Sequence, residues 1–225
     1  MIRPALIIAR KDLRLIAGCR GGLLQALLLG LLLIFMFSLS LAPGQVMSPQ
    51  GAATVFWMSS AFCQVLVFNT LHSHEEENGQ MLGLLLSPIP PQSIWLGKAL
   101  AGACLLFLAQ LVFLPAVFVF LRQEAGALWP VGLASIIVSD VGIAALGALL
   151  GSLARGQSAR EALFSVIIFP LLTPLLLGGI RIGTAVLSPG ADGDYANWLG
   201  ISLAFDAIFT AAAMVLFPLV YNVDD

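Results

Sequence analysis

The sequence specifies an all-α, polytopic membrane protein, and three observations lead there. Of the 225 residues, 60% are hydrophobic and only 10% are charged, where a soluble domain carries about 25% charged residues. The apolar residues gather into six stretches, each close to the roughly 20 residues that a spanning helix needs. In hydrocarbon every backbone N–H and C=O has to bond within its own segment, so such stretches are helices rather than strands. The expected organisation is a single transmembrane domain over residues 1–225, with spans at about 21–42, 51–71, 94–121, 128–153, 162–187 and 199–221.

An amphipathic segment precedes the first span. Leu6, Ile7, Leu13 and Ile16 can share one face of a helix while Arg3, Arg10, Lys11 and Arg14 decorate the rest. That is the pattern of an interfacial helix on the inner leaflet, and the same charges serve equally as a topology signal. The first span, with its basic flank and Ser40-Leu41-Ala42, has the outline of a signal peptide. Its apolar run exceeds the roughly 7–15 residues of a signal core, and Pro43 stands at the would-be cut, so it is expected to be retained.

Lys and Arg set the orientation. Arg3, Arg10, Lys11, Arg14, Arg20, Lys98, Arg155 and Arg160 fall on one side, against Arg122 and Arg181 on the other. The richer side is expected to be cytoplasmic, with both termini inside.

The segment between the second and third spans, residues 72–93, is the most unusual part of the chain. Glu75, Glu76 and Glu77 precede Asn78-Gly79; an amphipathic run from Gln80 to Leu86, including Leu82 and Leu85, ends at Ser87-Pro88 and Pro90-Pro91. Gly79 suits a tight turn and the prolines stop a helix. The reading is a short helix between turns, either a contact for a cytoplasmic partner or a solvated charged loop. His72 and His74, the two histidines, do not share a helical face and are read as polar juxtamembrane residues rather than metal ligands.

Two acids lie at bilayer depth, Asp140 in the fourth span and Asp206 in the sixth. A charge there costs about 2.5–3.5 kcal/mol, so each faces the bundle interior, either in a functional role or in an interhelical hydrogen bond. Asp206 is expected nearer an interface. In the fifth span Pro170 and Pro174 each remove a backbone donor. A kink or break is expected there, with the freed carbonyls buried or lining a cavity, and 180–198 dipping back into the outer leaflet.

Several chemistries are excluded. Nothing matches GxxxxGK[ST] or HExxH, and no His lies deep enough to pair with an intramembrane Ser. The chain is read as a non-enzyme without catalytic residues. Cys19, Cys63 and Cys104 have no metal spacing and read as small apolar packers. No metal site, resident cofactor or nucleic-acid partner is expected.

Two motifs resemble the haem exporter protein B family, the membrane permease subunit of the cytochrome c maturation ABC transporter. The first is the loop, Glu75-Glu76-Glu77-Asn78-Gly79, Leu82 to Leu86, Ser87-Pro88-Ile89-Pro90, then Lys98. The second is Pro170-Leu171-Leu172-Thr173-Pro174-Leu175-Leu176, preceded by the basic Arg155-Gly156. An acid usually stands before the loop glycine in that family, and here it is Asn78. The resemblance covers essentially the whole chain. It implies an ABC-2-type exporter permease with an N-terminal amphipathic helix in the bacterial inner membrane. Two copies would pair with two cytoplasmic ATPase subunits that bind ATP. Glu75, Glu76, Glu77, Gly79, Leu82, Leu85, Pro88 and Pro90 would couple ATPase motion to the spans. The implied process is haem handling, with a haem-presenting membrane protein and a periplasmic haem chaperone as partners. The alternative is a permease for a lipid or drug in the same architecture; a membrane enzyme is the remote third reading.

Overall fold

Helices form where the apolar stretches run. The computed structural model describes residues 2–18, 22–77, 88–124, 126–153, 160–188 and 194–221. Among these residues there are seven α-helices and no strand: α1 (Ile2–Gly18), α2 (Gly22–Leu39), α3 (Pro49–Glu77), α4 (Pro91–Phe120), α5 (Trp129–Leu153), α6 (Arg160–Leu187) and α7 (Tyr195–Tyr221). The last six, α2 to α7, are long and apolar enough to cross a membrane, which makes the chain a multi-pass membrane protein.

Helices α3 and α5 form the centre. Each is 72% buried over its most apolar stretch, against 17% for α2 and 22% for α7. Helix α3 packs on α2, α4, α5 and α6, and α5 packs on α3, α4, α6 and α7. The outer helices therefore turn much of their apolar surface away from the protein.

Glycines bring the central helices together. Lipid tails are as apolar as Leu, so association rests on close packing at small residues. The fully buried Phe68 ring of α3 lies where side chains at Gly102 of α4 and Gly147 of α5 would otherwise stand. Phe113 of α4 uses Gly30 of α2 in the same way, and Trp57 of α3 uses Gly179 of α6.

Helix α1 docks onto the start of α4. A Cβ at Gly97 would stand 2.8 Å from the Ala5 carbonyl oxygen and 2.8 Å from Ile8. The buried stripe is Ala5, Ile8, Ala9, Asp12 and Ile16, at the 3–4 residue spacing of one helix face. The interfacial face drawn from the sequence divides here, with Ile16 joining the buried stripe. Leu13 is partly buried against the core, but Leu6 and Ile7 are 59% and 70% exposed. The Ala5 carbonyl and the Ile8 side chain take the space at Gly97, which leaves Leu6 and Ile7 facing outward.

Three local expectations also change. Helix α3 continues through His72 to Glu77, so the glutamates end a helix rather than open a loop. Helix α6 runs unbroken through Pro170 and Pro174 to Leu187, and α7 starts at Tyr195, so 180–187 does not dip back. Pro170 is exposed, and so is Val166, whose carbonyl it leaves without a helical donor. That carbonyl lies on an outward face rather than beside an internal cavity.

At the end of the bundle opposite α1, side chains tie the loops. The Gln123 amide donates to Met47 O at 2.8 Å, and Ser38 Oγ donates to Phe120 O at 2.8 Å. The Arg181 guanidinium lies 5.9 Å from the centre of the Trp198 ring.

Because Phe68 fills the space over Gly147, Gly147→Val should destabilise the bundle by about 1–3 kcal/mol. Reversible unfolding in mixed micelles measures this, and the same substitution at Gly200, where nothing lies within 4 Å, should change little.

Candidate functional site

At the α1 end, a buried ion pair joins two helices. Lys98 is fully buried near the start of α4, and Asp12 of α1 is 3% exposed. Lys98 Nζ stands 4.0 Å from Asp12 Oδ2, and the Lys11 ammonium lies 3.0 Å from Asp12 Oδ1. Asp12 occupies the buried stripe of α1 where an apolar residue would be ordinary. Desolvating both charges is unfavourable on its own, and removing one partner is worse than removing both.

His72 lies toward the end of α3. It is 1% exposed, with Nδ1 2.8 Å from Phe68 O and its ring against Gly151 of α5. The juxtamembrane loop position expected for it is thus corrected to the packed interior of α3. It serves helix packing, made possible by the missing Cβ at Gly151.

The expected coupling residues are partly described. Glu75, Glu76 and Glu77 close α3, while their side chains, that of His74, and Gly79, Leu82, Leu85, Cys19 and Arg155 lie outside the described residues. Pro88 and Pro90 are exposed. Pro90 caps α4 in an extended conformation, and Pro91 opens the first turn, where its missing N–H costs nothing.

Polar side chains cross-link the middle of the bundle. Gln110 Nε2 of α4 donates to Asp140 Oδ1 of α5 at 3.0 Å. Gln64 Nε2 of α3 donates to Ile143 O at 3.2 Å, and Trp95 Nε1 of α4 donates to Ala145 O at 3.2 Å. All four side chains are at most 3% exposed. Asp206 of α7 is 6% exposed, with Oδ1 pressed against Gly142 of α5. It lies near the middle of its helix, deeper than the sequence reading placed it, because Gly142 makes room for the carboxylate. The structure brings Asp140 and Asp206 to one region, where Leu175, next to the half-buried Pro174 of α6, also packs at Gly142, while Pro170 is on the outward side.

Sequence reasoning missed Asp12, Gln64, Trp95 and Gln110, and it saw Lys98 only as an orientation charge and as part of a motif. Asp12 had a signal: it falls in register with Ala5, Ile8, Ala9 and Ile16. Lys98, seven residues into an apolar run, called for an acid at the same end. The glutamines carried no comparable signal, since their partners include backbone carbonyls of another helix.

A cavity of about 230 Å³ opens at the far end, lined by Phe56, Trp57, Trp129, Gly179, Gly183 and other apolar groups. Its walls suit an apolar guest.

Fold and site together define a six-span membrane subunit in which buried polar groups hold helix to helix and a charged end carries α1. The chain belongs to the CcmB protein family, whose sequence model matches residues 3–222. It is 26% identical over 214 residues to the heme exporter protein B of Pseudomonas aeruginosa, covering 95% of this chain and 92% of that one. It is 27% identical over 211 residues to the heme exporter protein B of Paracoccus denitrificans, covering 92% of each. A third relative of that name, from Haemophilus influenzae, is 24% identical over 206 residues, 82% of this chain and 93% of that one.

Lys98→Ala should destabilise the protein by about 3–5 kcal/mol, and the double variant Lys98→Met/Asp12→Leu by clearly less. Unfolding of both in the same detergent tests the ordering. At mid-depth, a double-mutant cycle over Gln110→Leu and Asp140→Leu should return a coupling of about 0.6–1.7 kcal/mol; additivity of the two changes would contradict the Gln110–Asp140 bond.

Proposed function

We propose that this chain is the membrane permease subunit of an ATP-driven complex that exports or handles haem for cytochrome c maturation. The complex lies in a bacterial inner membrane, and both termini face the cytoplasm. The observation that carries the reading is the family match over residues 3–222, together with relatives of similar length named heme exporter protein B.

The working parts follow from the geometry. Helix α3 has 29 residues and so is about 43 Å long, more than the roughly 30 Å hydrocarbon core. Its end at Glu75–Glu77 stands clear of the membrane. A separate cytoplasmic ATPase, closing on ATP, would push there and on the prolines that open α4. Helix α4 would carry α1 with it through Lys98 and Asp12. Central α3 would transmit the motion to α5 through Phe68 and Gly147. Two copies would assemble with two ATPases, and the outward apolar faces of α2 and α6 leave room for that pairing.

In this reading the subunit moves a haem-presenting membrane partner, which hands haem to a periplasmic chaperone, and the subunit itself ligates no haem. The second reading, export of a lipid or drug, draws support from the aromatic cavity at the far end.

Purification in mild detergent, with co-purifying subunits identified by mass spectrometry, separates these readings. The expected result is an ATPase together with haem-handling membrane proteins, with the ATPase lost when Glu75, Glu76 and Glu77 are replaced by Ala. An ATPase without haem-handling partners would favour the lipid or drug exporter. Stoichiometric haem on the isolated subunit, with an axial ligand from a span, would overturn the force-transmission reading.

A further inference from the structure

Helices α5 and α7 lie side by side, and their seam opens outward as a groove of about 490 Å³. Ile137 and Val141 form one wall and Leu203 and Met214 the other, each 45–55% exposed. Between them the lining includes Asp206 and Thr210. Asp206 lies eleven residues into α7, about 16 Å from that end and so near the middle of a core roughly 30 Å thick.

This acid lacks a counter-charge. Its Oδ1 lies against the backbone of Gly142 in α5, and the buried acid beside it, Asp140, carries charge of the same sign. Among the described residues no ion pair reaches Asp206. A carboxylate at this depth costs about 2.5–3.5 kcal/mol, and acyl chains filling the groove would leave that cost in place. A cation on a neighbouring helix would remove it.

A second copy of this chain does not carry such a cation. Of its Lys and Arg residues, only Lys98, Arg160 and Arg181 fall within the spanning helices, and each lies in a terminal third of its helix. His72 and His74 lie near the end of α3. Two copies side by side in one membrane share their depths, so each of these residues stands nearer a membrane surface than Asp206, and Arg181 already lies over Trp198.

We propose that the α5–α7 groove seats a transmembrane helix of a different polypeptide, one with a basic side chain at mid-span that pairs with Asp206. The apolar walls of the groove fit the aliphatic flank of such a helix, and Thr210 adds a hydrogen-bonding group one turn from the acid. The inference does not depend on haem as the cargo.

The test uses the full chain expressed with its native membrane partners. The photocrosslinker p-benzoylphenylalanine is placed at Leu203 or Val141 in the groove, or at Ile208 on the opposite face of α7 as control. Adducts are mapped by mass spectrometry. The groove positions, and not Ile208, should join a spanning segment of another protein that contains Lys, Arg or His. Asp206→Asn, which keeps the side-chain shape, should lower the yield about tenfold. Adducts with lipid alone, with a second copy, or with a span lacking a basic residue would overturn the proposal. So would a yield unchanged by Asp206→Asn.

Discussion

Helices in a bilayer gain little from hiding apolar side chains from one another, since lipid is an equally good solvent for them. What binds the spans here is how closely their backbones approach at a few glycines. Phe68 shows the principle: one ring fits against Gly102 and Gly147, so α3, α4 and α5 meet around a single side chain. His72 on Gly151 and Trp57 on Gly179 repeat it toward the two ends of α3. The position of every polar group depends on this framework, because hydrogen-bond geometry tolerates only small shifts.

Within that framework α5 is the common acceptor. Gln64 and Trp95 reach its carbonyls from α3 and α4, and Gln110 reaches its Asp140. Each bond satisfies a side chain that would be expensive to leave alone in hydrocarbon and fixes the rotation of one helix against the next. The same logic operates at the α1 end. A buried lysine and a buried aspartate on different helices make sense only together, so α1 is part of the bundle as well as a surface helix. A displacement applied where α3 ends and α4 begins would reach both α1 and α5 without passing through a flexible joint.

Asp206 follows another pattern. Gly142 lets its carboxylate tuck against α5, yet the side chain also borders an outward groove. Interior polar residues close the fold, whereas this acid also borders the outer surface of the bundle. The exposed Pro170 on α6 has a similar character, since the carbonyl it frees at Val166 also faces outward.

Six spans, their order and the amphipathic N-terminal helix were legible in the residues, because length and apolar content alone decide whether a segment can cross a membrane. The family motifs were legible too, and the match over residues 3–222 agrees with them. The signal for a break at Pro170 and Pro174 went too far, because a helix in lipid continues past prolines that would stop it in water. Leu6 and Ile7 of the interfacial face drawn from the sequence do face outward, while the stripe that packs on α4 runs through Ala5, Ile8, Ala9, Asp12 and Ile16. The sequence by itself determined what crosses the membrane and which polar residues would need partners there. Only the tertiary structure decided who those partners are, pairing Asp12 with Lys98, Asp140 with Gln110 and Gln64 with a carbonyl of α5. These contacts join residues far apart in the chain, and each depends on a helix rotation set by side chains that carry no polar signal at all.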